Sequence, residues 1–206
     1  TQLWNKLSDG GKALMPLDQY FFSKKYGWVQ DKFGVSWQLI LSEGELKQTI
    51  IPSLMFVGNN YGKAEEAMNF YISVFKDSKM GNISRYGAGM EPNKEDSIAF
   101  ADFQLENQWF AAMESAHKHQ FNFDEGISLM VHCDTQEEVD YYWNKLTAGG
   151  KEVACGWLRD KYGVAWQIVP DVLLKLLQSA DKEKAKRVMQ AMMEMVKLDI
   201  EQLENA

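Results

Sequence analysis

Hydrophobic positions in the middle of the chain change from a strand pattern to a helix pattern and back. Residues 50–57 are rich in β-branched and large apolar side chains, which is typical of a buried strand. The helix pattern covers Ala64 to Phe75 and places four side chains on one apolar face: Ala67, Phe70, Tyr71 and Val74. Three further strands are predicted near 79–87, 97–105 and 108–115. The pattern therefore predicts a βαβββ unit.

A second unit with the same order of elements follows between residues 127 and 169. Ile127 to Cys133 is β-rich, and Asp134 or Thr135 can cap a helix that runs to about Leu146. From Gly163 to Val169, large apolar residues alternate with small or polar ones, as in a strand with one buried face. The two units predict an α+β fold built from repeated βαβββ modules.

Parts of the second unit also occur near the start of the chain. Residues 4–12 match residues 143–151 at seven of nine positions, and residues 27–40 match residues 156–169 at eight of fourteen. Fourteen residues separate the two matching blocks in the first copy, but only four separate them in the second copy. We interpret the matches as an internal duplication and the additional ten residues as a loop.

The first copy lacks the strand that opens the second unit. We therefore expect the strands near 26–41 to pair with a segment that precedes Thr1 or with a second chain, because an open sheet edge exposes unpaired backbone groups. The domains expected are an incomplete module at 1–46, a complete module pair at 47–170 and a helical tail at 171–206.

The tail carries a stripe of apolar side chains at helical spacing: Met189, Met193, Val196, Ile200 and Leu203. Such a stripe is typical of a C-terminal helix that packs on another surface. Packing on the protein's own sheet is the preferred interpretation, and packing on a second subunit is the alternative.

Composition narrows the range of partners. The net charge is −7 and the sequence pI is about 5.1, so a basic face for nucleic acid is not expected. No apolar run approaches the roughly 18 residues that a membrane span needs. The chain has two cysteines, Cys133 and Cys155, which is too few for a disulfide framework and favours a reducing compartment, the cytoplasm.

Several segments resemble one known family. The run from Cys155 to Pro170 is similar to a motif of the PhnB-like proteins, also described as 3-demethylubiquinone-9 3-methyltransferase-like, within the vicinal oxygen chelate (glyoxalase/dioxygenase) superfamily. The segments 54–59, 65–71, 85–87 and 187–200 resemble the same family. The resemblance implies paired βαβββ modules that form a cupped half-barrel sheet around a small-molecule cavity, often in a homodimer.

Metal-dependent members of that superfamily hold the ion with His and Glu side chains on strands. The resemblance places the corresponding positions at Pro52, Glu114, Ile127 and Gln167. Only Glu114 is a strong ligand for a divalent cation, and a catalytic metal needs about three protein ligands. No metal and no other cofactor is therefore expected.

Glu114 is the candidate catalytic residue. If its strand places Phe110, Ala112 and Glu114 on the concave face, partial burial suits the carboxylate to general-base chemistry. The alternative interpretation is that Glu114 is a solvated glutamate at the end of its strand. The candidate ligand-binding residues are Phe56, Phe110, Trp157 and Gln167.

Other potentially reactive residues are better explained by structure. His132 and Cys133 are neighbours on a strand, so their side chains point to opposite faces and cannot easily share a proton. His117 and His119 are expected in a surface loop. The residues after Gly87 and Gly89 do not predict a helix, so the glycine-rich turn of common methyltransferases is not expected.

The sequence leaves three functions open. The first is a PhnB-like protein that binds a small molecule, with its reaction unassigned and methyl transfer not expected. The second is a metal-dependent lyase, isomerase or dioxygenase of the vicinal oxygen chelate type. The third is a non-catalytic dimer that sequesters its ligand.

Overall fold

A computed structural model describes residues 1–42, 44 and 48–206 of the chain. The chain divides into two compact units, Thr1–Thr49 and Ile50–Ala206. The boundary predicted between residues 46 and 47 lies outside the described residues.

The first unit is one helix and a three-stranded antiparallel sheet in the order β1-β2-β3. Its elements are α1 (Gln2–Ser8), β1 (Lys12–Tyr20), β2 (Ser23–Gln30) and β3 (Ser36–Ile40). The prediction of a loop between Lys12 and Gly27 is wrong, because this segment forms most of the β1–β2 hairpin. Irregularities in the register after Ala13, Met15 and Asp18 interrupt the period-two pattern from which a strand would be predicted.

The β1–β2 hairpin also changes the expectation for the sheet edge. The partner of β2 on one side is β1, so the prediction that these strands rely on a preceding segment or a second chain is wrong for β2. Among the described residues, β3 pairs only with β2. For the outer edge of β3, the expected additional strand stays a prediction.

The second unit contains two βαβββ modules, as the hydrophobic pattern predicts. The first module consists of β4 (Ser53–Val57), α2 (Ala64–Val74), β5 (Lys79–Arg85), β6 (Ile98–Leu105) and β7 (Gln108–Ser115). The second consists of β8 (Ser128–Cys133), α3 (Gln136–Thr147), β9 (Lys151–Glu152), β10 (Trp157–Arg159) and β11 (Ala165–Pro170).

The two modules have the same strand order. The sheets run β4-β7-β6-β5 and β8-β11-β10-β9, and in each sheet the first strand is parallel to the last strand of its module. The predicted α+β class with repeated βαβββ modules is therefore confirmed.

One hydrophobic core joins the two modules. Buried side chains of both sheets and of α2 and α3 belong to a single cluster. Across this core, 5.3 Å separate the ring centroids of Phe75 and Trp166, and 5.2 Å separate those of Phe75 and Tyr142. Because strand side chains alternate between faces, each sheet has one face in this core and an opposite face that the core leaves open.

The tail consists of three helices, α4 (Asp171–Leu177), α5 (Lys182–Glu194) and α6 (Ile200–Glu204). A second cluster joins Val169 of β11 to Leu173, Val188, Leu198 and Leu203. The backbone amides of Cys155 and Gly156 also donate to the carbonyls of Met195 and Val196. The tail therefore packs on its own module, as preferred from the sequence.

The predicted apolar stripe of the tail is wrong in detail. The helix ends before Met195, so residues 189–203 do not lie on one continuous helix. Met189, Met193 and Val196 are 42%, 66% and 47% exposed, whereas Val188 is fully buried.

Candidate functional site

Glu114 lies near the end of β7 and is 2% exposed. Its Oε1 accepts a hydrogen bond of 2.8 Å from the backbone amide of Ala64, the first residue of α2. Its Oε2 accepts one of 2.7 Å from the amide of Ile98. The carboxylate therefore stabilises the start of a helix and the start of β6.

The expectation that Phe110, Ala112 and Glu114 face a concavity is wrong. Phe110 and Ala112 belong to the core that α2 covers, and Glu114 contacts the first amide of the same helix. The alternation along β7 is as predicted, but this face is the one that the helix covers. The catalytic role of Glu114 stays a prediction.

Phe56 and Phe110 also lie in the core. Phe56 is fully buried and packs edge-on against Phe123, with 5.2 Å between the ring centroids. Phe110 is 8% exposed and lies 5.5 Å from Phe103. These contacts account for both rings as packing residues, and their proposed role in ligand binding stays a prediction.

Trp157 and Gln167 are brought together on one face of the β8-β11-β10-β9 sheet, which belongs to the second module and is called the second sheet below. This is the face that the core between the modules leaves open, and we call it the open face. They are directly opposite each other in the antiparallel β10–β11 pair, and their neighbours Leu158, Trp166 and Ile168 point into the core. Both side chains are partly exposed. Of the five predicted site residues, these two share an accessible surface.

A hydrogen bond fixes the Gln167 side chain. Its Nε2 donates to Oγ of Ser128 on the adjacent strand β8, over 2.7 Å. Met130 is the partner of Gln167 in the same parallel pair, so its side chain lies on the same face. Trp157, Gln167 and Met130 therefore form a row across three neighbouring strands. The sequence pattern did not identify Ser128 as part of this surface.

Two side-chain pairs border this row. Arg159, two residues from Trp157, donates from Nε and Nη2 to both carboxylate oxygens of Glu125. His132, two residues from Met130, has its Nδ1 2.7 Å from Oδ1 of Asp171. Both partners come from outside the strands, from the loop before β8 and from the start of α4, so strand patterns could not identify them.

The histidines have the structural environments expected from the sequence. Cys133 is fully buried in the core while His132 is exposed on the other face, so the two side chains do not form a pair. His119 lies after β7 with its Nε2 2.8 Å from Oγ of Ser115. Burial, followed by the nearby charge of His117, lowers the pKa of His119 below its usual value.

The residues do not fit the metal site that the superfamily resemblance implies. Pro52 and Ile127 have no side-chain donor atom, and both oxygens of Glu114 are occupied by backbone amides. The amide of Gln167 is a weak ligand for a transition metal. Within the described part of the chain, no group of three or more His, Cys, Asp or Glu side chains could hold an ion.

A groove of the second unit lies elsewhere. It has a volume of about 590 Å³ and lies in the tail between α5 and α6. Its lining contains none of the five predicted site residues and consists of Ala191, Glu194, Met195, Glu201, Gln202, Asn205 and Ala206.

Comparison with known proteins places this geometry in a family. The model of the family described as 3-demethylubiquinone-9 3-methyltransferase matches residues 1–40 and 48–169. The chain belongs to this family. The resemblance to PhnB-like proteins is thus confirmed, and the family match includes the first unit as well as both complete modules.

Solved structures agree with the family assignment. A protein from Bacillus cereus, described as a putative 3-demethylubiquinone-9 3-methyltransferase and PhnB protein, is 41% identical. The match covers 60% of this chain and 99% of that protein, with a TM-score of 0.54. A protein from Pseudomonas aeruginosa is similar in fold at 21% identity, with 60% and 98% coverage and a TM-score of 0.51. No curated protein matches the chain.

The family description contains the word methyltransferase, but Gly87 and Gly89 do not form the turn of the common methyltransferases. Gly87 and Gly89 lie in the connection between β5 and β6, and no helix follows them there. A glycine-rich turn that opens onto a helix is the feature that binds the cofactor in doubly wound methyltransferases.

In the described residues, no helix is long and apolar enough to cross a membrane.

Proposed function

We propose that this family member binds a small molecule on the open face of its second sheet, at Trp157 and Gln167. The observation that carries the proposal is the pairing of these residues across β10 and β11, with the amide held by Ser128. A partly exposed aromatic ring beside an oriented amide provides both contact area and a directional hydrogen bond. The reaction, if the ligand is turned over, is unassigned, and methyl transfer is not expected.

We also propose that a second copy of the chain covers this surface. Large apolar side chains are exposed on the open faces of both sheets, with Phe100 on β6 at 45% and Met130 on β8 at 51%. Exposed apolar patches of this kind are typical of interaction surfaces. Light scattering after gel filtration should give the mass of a dimer, and a monomer at micromolar concentration would contradict this part of the proposal.

A reducing compartment, the cytoplasm, fits the proposed role. Cys133 and Cys155 are both free, and neither forms a disulfide in the structure. The proposed localisation rests on these thiols.

The ligand itself is the direct test. Native mass spectrometry of the purified protein, followed by extraction with organic solvent, should detect a co-purifying small molecule. Trp157→Ala should remove this molecule. Trp109→Ala should retain it, because Trp109 lies on the open face of the other module's sheet, β4-β7-β6-β5. Retention by the Trp157 variant would show that the molecule binds elsewhere. Conversion of the extracted ligand by fresh protein would distinguish an enzyme from a sequestering protein.

A further inference from the structure

We infer that the ligand of the second sheet is a neutral, planar molecule that donates a hydrogen bond. This inference rests on the proposed function and specifies the chemical class of the ligand. It follows from three properties of the surface: its shape, its hydrogen-bond acceptor and the contacts of the charged side chains Arg159 and Asp171.

The shape of the surface favours a flat ring. Trp157, Gln167 and Met130 lie side by side on β10, β11 and β8, in that order. The indole presents a planar apolar surface, and a thioether makes favourable contacts with aromatic rings. A planar ligand that spans this row contacts the indole at one end and the thioether of Met130, half exposed, at the other.

The amide between them provides an acceptor. Because Nε2 of Gln167 donates to Ser128, the opposite atom of the amide, the carbonyl oxygen Oε1, is left to accept. The bond to Ser128 also limits rotation of the side chain, so the acceptor is oriented before a ligand binds. A ligand with an O–H or N–H group at the edge of its ring matches this arrangement.

The Arg159 side chain beside the row is already paired. The guanidinium of Arg159 uses two donors on the carboxylate of Glu125, and this bidentate geometry is the strong form of such a pair. That hydrogen bond is the main reason why the pKa of Glu125 is lowered, and the charges of Arg159 and Lys151 add to it. Asp124 also interacts with Arg159, which makes two positive and two negative side chains at this end.

The other end also carries a paired carboxylate. His132 contacts Asp171 through Nδ1 over 2.7 Å. An anionic ligand would therefore approach the carboxylates of Glu125 and Asp171, and a cationic ligand would compete with Arg159 for Glu125. Exchange of partners in an exposed pair returns little net free energy, whereas a neutral donor uses the amide without disturbing a pair.

Four naphthalene probes of nearly equal size test the inference by NMR titration of the full chain. They are 2-naphthol, 2-methoxynaphthalene, 2-naphthoate and 2-naphthylmethylammonium. We expect 2-naphthol to bind at least tenfold more tightly than the other three. Gln167→Met should reduce its affinity to that of 2-methoxynaphthalene, and Trp157→Ala should weaken every probe. Trp157→Phe, which keeps a planar ring, should restore part of the loss.

The possible failures are distinguishable. Equal or tighter binding of 2-naphthoate or the ammonium probe at Trp157 would overturn the neutral class and leave the proposed function in place. Failure of all four probes to bind, with a co-purifying ligand that depends on Trp157, would also overturn the inference alone. Failure of all four probes without such a ligand would overturn the inference and the proposed function together.

Discussion

The indole nitrogen of Trp166 donates a hydrogen bond of 2.9 Å to Oδ2 of Asp160, six residues earlier in the chain. Oδ1 of the same carboxylate accepts from the amides of Tyr162 and Val164, which closes the turn between β10 and β11. The phenol of Tyr71 on α2 is the fourth donor. This buried carboxylate therefore connects a turn, a strand and a helix.

The first copy repeats this arrangement in a more exposed setting. Asp31 accepts from the amides of Phe33 and Val35 and from the indole of Trp37, each over 2.9 Å. Asp160 is 3% exposed and its pKa is raised by burial, whereas Asp31 is accessible and its pKa is lowered, chiefly by the bond from Trp37. Asp31 and Asp160 therefore allow the same turn to be compared in an exposed and in a buried setting.

Asp160→Asn should destabilise the second unit strongly. An amide group facing four donors leaves at least one of them unsatisfied, which costs about 3 kcal/mol in a buried site. Hydrogen exchange followed by mass spectrometry should show faster exchange of the β10–β11 peptides. Asp31→Asn should cause a smaller change in the β2–β3 peptides, because water can satisfy the donors there. Equal effects at both sites would contradict the role assigned to burial.

Glu114→Gln should lower stability even without any ligand. The glutamine amide would replace one acceptor by a donor that faces a backbone N–H, at a cost of about 2 kcal/mol. Urea unfolding measures this, and Glu65→Gln on the exposed side of α2 is the control with little expected effect. A stable variant that loses only conversion of the extracted ligand would favour the catalytic role over the structural one.

The two thiols should react at very different rates. Burial is the main cause that raises the pKa of Cys133 to about 12, so at pH 8 its thiol stays protonated and inaccessible. Cys155 is partly exposed. Titration with a coloured disulfide reagent should therefore count one fast thiol in the native protein and two after denaturation. Cys155→Ser should remove the fast phase, and a count of zero after denaturation without a reductant would indicate a disulfide.

Purified protein should contain no stoichiometric transition metal. The superfamily positions offer one carboxylate, and each of its oxygens already accepts a hydrogen bond from a backbone amide. Elemental analysis after purification without chelators or metal-affinity resin is the measurement. One zinc, iron, manganese or nickel ion per chain, lost on Glu114→Ala, would show that the ligands are elsewhere and restore the metal-dependent alternative.

Sequence patterns predicted the helices and strands better than they predicted which face of each strand the helices cover. The helices and strands of 50–170 follow from local hydrophobic periods, because each module buries one face of every element. The orientation of Glu114 does not follow, since alternation shows which side chains share a face but not which face the helix covers. The β1–β2 hairpin was missed for a different reason: register irregularities and Pro16 interrupt the strand pattern.

The candidate site depended on contacts between residues distant in sequence. Trp157 and Gln167 were recognisable as residue types suited to ligand binding. Their partners were not, since Ser128, Glu125 and Asp171 are brought to the same face only by strand pairing and by the start of α4. A single sequence does not show such pairs.

The contact between the tail and the turn before β10 involves residues beyond the segment that matches the family. The family match ends at residue 169, yet the carbonyls of Met195 and Val196 accept from Cys155 and Gly156, next to the strand that carries Trp157. Trimming the gene to the matched segment would remove both acceptors and uncover Val169. The segment that matches the family therefore ends before the residues that pack on it, and protein engineering of this chain should keep the tail.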